Sequence, residues 1–84
     1  MRLVFTPNGW EDYTSWLTTD RAVLKRINRL IEDALRDPTD GIGKPEALRE
    51  NLSGFWSRRI DDANRLVYAV EAEQIVVIAC RYHY

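Results

Sequence analysis

Between Asp20 and Pro38 the apolar residues Val23, Leu24, Ile27, Leu30, Ile31, Ala34 and Leu35 recur at the i, i+3, i+4, i+7 spacing of one helix face. Arg21, Lys25, Arg29 and Arg36 fall mainly on the other side. Asp20 is placed to cap the start of this helix. Asp37-Pro38 ends it, because the residue before a proline disfavours helical geometry. Upstream, Arg2 to Phe5 reads as a short strand and Thr6-Pro7-Asn8-Gly9 as a turn. Asn8 reads as the cap of a first helix carrying Trp10, Tyr13, Trp16 and Leu17, with Glu11 and Asp12 near its positive end. Two antiparallel helices, each with one apolar stripe, need a sheet to cover.

The second half of the chain supplies that sheet. After a loop-like stretch between Asp37 and Glu50, Phe55 to Ile60, Arg65 to Glu71 and Gln74 to about Tyr82 read as strands. Turns fall at Asp61-Asp62-Ala63-Asn64 and around Ala72-Glu73, so consecutive strands pair antiparallel. The predicted architecture is α+β, a single domain over residues 1–84: an N-terminal strand, a two-helix hairpin, then a twisted antiparallel meander with the helices on one face. Alternation puts Arg58 and Arg59 on opposite faces, so one can meet a helix carboxylate while the other meets a phosphate. A three-residue turn at Glu71 to Glu73 puts Arg65 on the face of Arg81 and His83; a two-residue turn separates them. Both registers are compatible with the sequence.

Composition narrows the chemistry. Cys80 is the sole cysteine and His83 the sole histidine, which excludes an intramolecular disulfide and the usual zinc sites. No apolar run approaches the ~18–20 residues of a membrane span, and the apolar start is too short for a signal-peptide core. The expectation is a small cytoplasmic domain with no metal and no cofactor. Twelve basic residues face thirteen acidic ones, but phosphate binding depends on where basic groups sit rather than on their sum. Lysine occurs only at Lys25 and Lys44. The other basic groups are arginines, whose planar fork matches phosphate oxygens two at a time.

Three residue types stand out for chemistry. His83 can act as acid or base near neutral pH. Glu46 follows Gly43-Lys44-Pro45, where glycine admits a close ligand and proline stiffens the setting. Arg65 opens a strand just after Asp61 and Asp62, so an ion pair there is its plainest structural role. Together a Glu, a His and an Arg suit metal-free RNA cleavage. That reaction needs a base for the 2′-hydroxyl, an acid for the leaving 5′-oxygen and a cation for the phosphate. The same residues suit a passive RNA surface on which Trp56, Tyr82 and Tyr84 stack bases, although Trp56 reads equally as core.

Gly43-Lys44-Pro45-Glu46-Ala47-Leu48, Asn51-Leu52-Ser53-Gly54-Phe55-Trp56-Ser57-Arg58-Arg59-Ile60, Arg65-Leu66-Val67-Tyr68 and Cys80-Arg81-Tyr82-His83-Tyr84 closely resemble the YoeB/Txe family. These are RelE-superfamily toxins of bacterial toxin–antitoxin pairs, and the resemblance spans the whole chain. It implies a RelE-like fold and a ribosome-dependent mRNA endonuclease that cuts the A-site codon and inhibits translation. By motif, Glu46 is the implied general base and His83 the general acid. Arg65 stabilises the phosphate and Tyr84 helps position the reacting groups. Lys44, Arg49, Arg59 and Arg81 are the implied RNA-binding set. The implied partners are a YefM-type antitoxin, the 70S ribosome with mRNA in its A site, and a second copy in a homodimer that a Trp10 or Trp16 patch would serve. One departure is Asn64, where members of the family usually carry histidine. The alternative on the same fold is a non-catalytic RNA- or protein-binding inhibitor, and the Glu46, Arg65 and His83 set favours the enzyme.

Overall fold

Strand β1 (Arg2–Phe5) leads through Thr6 into helix α1 (Pro7–Thr19); the computed structural model describes residues 1–49 and 54–82. Thr6, not Asn8, caps α1: its hydroxyl accepts from the Gly9 N–H at 3.0 Å. Pro7 supplies a first helical residue whose missing N–H has no intrahelical partner to lose. Asn8 and Gly9 therefore belong to the helix and not to a turn. Asp20 alone joins α1 to helix α2 (Arg21–Arg36). Its backbone N–H donates to the Trp16 carbonyl, closing α1, while its carboxylate accepts from the Ala22 and Val23 N–H groups, opening α2. Asp37 ends α2 directly before Pro38, as the sequence predicts.

The expected α+β architecture is observed, with two additions. Strands β3 (Phe55–Arg59), β4 (Arg65–Glu71) and β5 (Gln74–Ala79) form the antiparallel meander. β1 joins its far side parallel to β5. A two-residue strand β2 (Glu46–Ala47), inside the stretch expected to be loop, pairs antiparallel with β3 at the other edge. Among the described residues the sheet order is β1-β5-β4-β3-β2.

Both helices cover one face. Trp16, Ile27, Leu30, Ile31 and Ala34 pack on Ile60, Leu66, Tyr68, Ile75, Val77 and Cys80. Val23, Leu24, Leu35 and Trp56 flank this core half-buried, so Trp56 takes its core role. Trp16 is buried and its indole N–H donates to the Cys80 carbonyl at 3.0 Å. It therefore offers no surface for a partner, whereas Trp10 stays 54% exposed. Gly9 lets α1 lie directly on β5, since a Cβ there would stand 2.2 Å from the Val77 carbonyl oxygen.

The turn between β4 and β5 has two residues, with Glu71 opposite Gln74. Continued regularly, that register would put Arg65 and the end of β5 on opposite faces. A bulge prevents it: Tyr68 pairs with Val77 but Val67 pairs with Ala79, leaving Ile78 as the extra residue. The N-terminus of α1 holds the bulge. Asn8 Nδ2 donates to the Ile78 carbonyl at 3.0 Å, and the Thr6 N–H donates to the Val77 carbonyl at 3.0 Å. β5 ends at Ala79, short of the expected Tyr82, because the Cys80 backbone bonds α1 instead of the ladder. Its N–H donates to Asp12 and its carbonyl accepts from Trp16.

One buried cation organises the approach to β2. Arg58 is fully buried on the helix-covered face and uses all five of its donors. Nε donates to the Tyr68 hydroxyl, Nη1 to Asp33 Oδ2 at 2.7 Å and the Ile42 carbonyl, and Nη2 to the Asp37 and Asp40 carbonyls. Tyr68 in turn donates to the Pro38 carbonyl at 2.6 Å. The stretch from Asp37 to Ile42 is thus wrapped around a guanidinium anchored in β3. Arg58→Met is expected to cost about 3–5 kcal/mol in urea denaturation, because removing one partner leaves the buried acceptors unpaired. A cost below about 1 kcal/mol would show that water replaces the guanidinium.

Asp33 adds a pH dependence. The Arg58 guanidinium, then the Ile42 N–H and Arg36, hold its carboxyl down at about 2, from an ordinary 3.8. A depressed folded-state value stabilises the fold above the unfolded value and is lost as pH falls through the folded one. The stability deficit of Asp33→Asn is therefore expected to be full at neutral pH and to shrink between about pH 4 and pH 2. Parallel denaturation curves of the two proteins across that window check it.

Candidate active site

The face without helices carries the polar residues. Pairing aligns Glu46, Ser57, Val67 and Ala79 in one row across β2, β3, β4 and β5, with Arg59 opposite Arg65 in the next. Side chains on one face of neighbouring strands interact both directly and diagonally. Arg65 uses the diagonal: its Nη2 lies 3.1 Å from Glu46 Oε1, and its Nε donates to the Ser57 hydroxyl at 3.1 Å. The Arg65 side chain is 22% exposed and that of Glu46 64% exposed. The result is a guanidinium seated on a buried serine beside a carboxylate that solvent reaches.

Local backbone explains where Glu46 stands. Gly43 has φ +80°, and a Cβ there would stand 2.6 Å from a Leu30 methyl. Its carbonyl accepts from the Arg59 N–H at 2.7 Å. Lys44 follows with φ 51°, a region a lysine rarely adopts, and Pro45 then opens the path into β2. The Arg58 cluster fixes the chain before this bend and β3 fixes the chain after it. Glu46 is placed from both sides.

The remaining candidates divide. Lys44, Arg49 and Arg59 are exposed, and Arg59 forms an ion pair with Asp62. Arg58 and Arg59 do face opposite sides, with Arg58 meeting a helix carboxylate. Arg65 pairs with Glu46 and not with Asp61 or Asp62. Arg81 turns to α1, donating to Ser15 Oγ at 2.7 Å with its guanidinium 4.1 Å from the Trp16 ring centroid. His83 and Tyr84 lie outside the described residues, as do Asn51, Leu52 and Ser53 of the second motif. The described chain reaches Tyr82, whose carbonyl accepts from the Arg65 N–H at 2.9 Å and whose N–H donates to Asn64 Oδ1 at 2.6 Å.

Comparison with known proteins identifies the family. The family described as the YoeB-like toxin of bacterial type II toxin–antitoxin systems matches residues 5–84. The Toxin YoeB of Streptomyces coelicolor is 60% identical over the whole of both chains. A solved YoeB/ParE toxin from Agrobacterium tumefaciens superposes with a TM-score of 0.97 at 45% identity, covering 100% of each chain. Two Staphylococcus aureus structures, a YoeB dimer and a YoeB–YefM complex, give TM-scores of 0.92 and 0.90 at 41% and 40% identity. Each covers 100% of this chain and 98% of the other. The chain belongs to the YoeB-like toxins.

For a YoeB-like toxin, the sequence reading named Glu46 and Arg65 but missed Ser57, which seats the arginine, and the Asp61–Asn64 pair, which bonds the chain beside it. Ser57 carried a signal in its alternation with Arg59 and Phe55. The Asp-x-x-Asn spacing of the turn carried another, since an aspartate there accepts from following N–H groups. Among the described residues no group of three His, Cys, Asp or Glu side chains is placed to hold a metal ion. No described helix is long and apolar enough to cross a membrane.

Cys80 is the remaining group with intrinsic reactivity. Burial, and then the Asp12 carboxylate, push its thiol up to about 12, so the thiolate needed for nucleophilic attack does not form near neutral pH. The folded protein is expected to resist a thiol-specific disulfide reagent at pH 8 over a time in which the urea-unfolded chain reacts completely. Equal rates would place Cys80 at the surface.

Proposed function

We propose that this YoeB-like toxin is a ribosome-dependent mRNA endonuclease acting in the cytoplasm on the codon in the ribosomal A site. The observation that carries the reading is the meeting of the Glu46 carboxylate and the Arg65 guanidinium on the uncovered sheet face. Glu46 takes the proton of the ribose 2′-hydroxyl. The 2′-oxygen forms a bond to phosphorus, the bond from phosphorus to the 5′-oxygen breaks, and His83 gives that oxygen its proton. The products are a 2′,3′-cyclic phosphate and a 5′-hydroxyl, with atoms and charge balanced and no metal in the scheme. Arg65 neutralises charge on the phosphate oxygens at the moment it develops, and Tyr84 assists in placing the reacting groups.

The ion pair suggests an order of events. A phosphate entering the site competes for Arg65, so the contact that binds the substrate also releases the Glu46 carboxylate to act as base. Arg59, opposite Arg65 on this face, and the exposed Lys44 and Arg49 on either side of β2 in the chain hold RNA phosphates. Arg81 joins them only by releasing Ser15 and the Trp16 ring. The partner in the cell is a YefM-type antitoxin, and the toxin pairs with a second copy of itself. These assignments rest on the likeness to the Staphylococcus aureus complex and dimer.

Primer extension on a reporter mRNA in cell-free translation tests the reading, with and without ribosomes. Wild-type protein is expected to leave discrete cuts inside translated codons, only when ribosomes are present. Folded His83→Ala should leave none, and Glu46→Gln should lose about 10²–10⁴-fold in rate. Arg65→Lys should also be impaired, because an ammonium cannot reproduce the bidentate fork. Stalled translation with intact mRNA would overturn the nuclease in favour of a binding inhibitor.

A further inference from the structure

We propose that Asn64 is a positioning residue for this site: with Asp61 it clamps the Tyr82 peptide beside Arg65, at the point from which the chain continues into His83. The proposal rests on the nuclease reading for its consequence, but the clamp itself stands on the geometry. Asn64 is buried, so both ends of its amide need partners. Nδ2 donates to Asp61 Oδ1 at 3.0 Å and lies 3.2 Å from Oδ2. Oδ1 accepts from the Tyr82 N–H at 2.6 Å. A carboxylate can only accept and a backbone N–H can only donate, so this network admits one orientation of the amide.

Asp61 is itself immobilised. Its Oδ1 also accepts from the Ala63 and Asn64 N–H groups at 2.9 and 2.8 Å, and the Asn64 carbonyl accepts from the Ile60 N–H at 3.0 Å. The turn between β3 and β4 is thus a rigid platform that aims one acceptor at the end of the chain. The peptide it holds is an unusual one. Tyr82 has φ 63° and is 69% exposed, so no packing of a buried ring explains a conformation that bulky residues avoid. Two hydrogen bonds account for it: Asn64 takes the Tyr82 N–H, and the Arg65 N–H takes the Tyr82 carbonyl. The second donor is the backbone of the residue whose guanidinium meets Glu46, so the platform ties the chain's end to the phosphate-binding arginine.

The experiment exploits the single histidine, whose imidazole Hε1 resonance is unique in the NMR spectrum. Asn64→Ala is expected to displace that resonance and its titration. It should lower kcat for A-site cleavage about 10–100-fold with KM little changed, as misplacement of a reacting group does. Asn64→Asp sets two carboxylates against each other and should be impaired, whereas Asp61→Asn keeps an amide oxygen to accept from Asn64 and should be milder. The exchange Asp61→Asn with Asn64→Asp restores one donor and one acceptor, and should return kcat to within about threefold of wild type. A folded Asn64→Ala protein with unchanged His83 resonance and unchanged cleavage would overturn the proposal, as would a double exchange no better than Asn64→Asp alone. Should Asn64→Ala fail to fold by circular dichroism, the exchange alone decides. Should wild-type protein not cut mRNA, the nuclease reading falls and the His83 resonance alone judges the clamp.

Discussion

The buried guanidinium of Arg58 is the interaction on which the rest of the molecule leans. A cation taken out of water is costly unless every donor finds an acceptor and one acceptor carries charge. Arg58 meets both conditions by drawing in Asp33 from α2, the Tyr68 hydroxyl from β4 and three carbonyls from the stretch between Asp37 and Ile42. A segment rich in glycine and proline, with no helix or strand of its own, thereby acquires a fixed path. That path runs from Gly43, packed against Leu30, through Lys44 to Glu46 on the opposite face of the sheet. Structure on the helix side positions chemistry on the open side.

The bulge at Ile78 does the corresponding work at the other end. A two-residue turn between β4 and β5 gives tight pairing near Glu71, and unbroken alternation would then send the end of β5 to the wrong face. Thr6 and Asn8 bond the Val77 and Ile78 carbonyls where α1 touches β5, which supports the extra residue and shifts the register by one. Ala79 returns to the face of Ser57 and Arg65. The Asp61–Asn64 turn then captures Tyr82 beyond the strand's end. Two edges of one sheet face are brought together by contacts that lie mostly outside it.

The face so built has an electrostatic character that net charge conceals. Acidic and basic residues nearly cancel over the chain, yet Asp33 is consumed by Arg58, Asp61 by the turn and Asp12 by the Cys80 N–H. Lys44 and Arg49 are exposed, Arg59 is paired with the exposed Asp62, and the Glu46 carboxylate is exposed while paired with Arg65. Such an arrangement attracts a polyanion while keeping one base in reach of it. This property comes from which charges are spent internally and which are left to solvent.

Much of this was legible in the sequence wherever the governing interaction is local. The α2 stripe from Val23 to Leu35, its Asp20 cap and its Asp37-Pro38 end depend on periodicity and on groups a few residues apart, and they were read correctly. The opposite faces of Arg58 and Arg59 follow from the period of a strand, and Glu46 and Arg65 stood out through motif and residue type. The cap of α1 was misplaced because Thr6 and Asn8 are both competent, and only the docking of Asn8 on β5 decides between them. β2 was missed because two residues carry no period; their pairing depends on β3. The bulge, the seat of Arg65 on Ser57 and the hold of Asn64 on Tyr82 join residues between 8 and more than 60 positions apart. By itself the sequence determined the elements and the chemical inventory. Tertiary structure alone decided the register that puts Glu46 and Arg65 within 3.1 Å, because a shift of one residue exchanges the two faces of a strand at no cost to its local pattern.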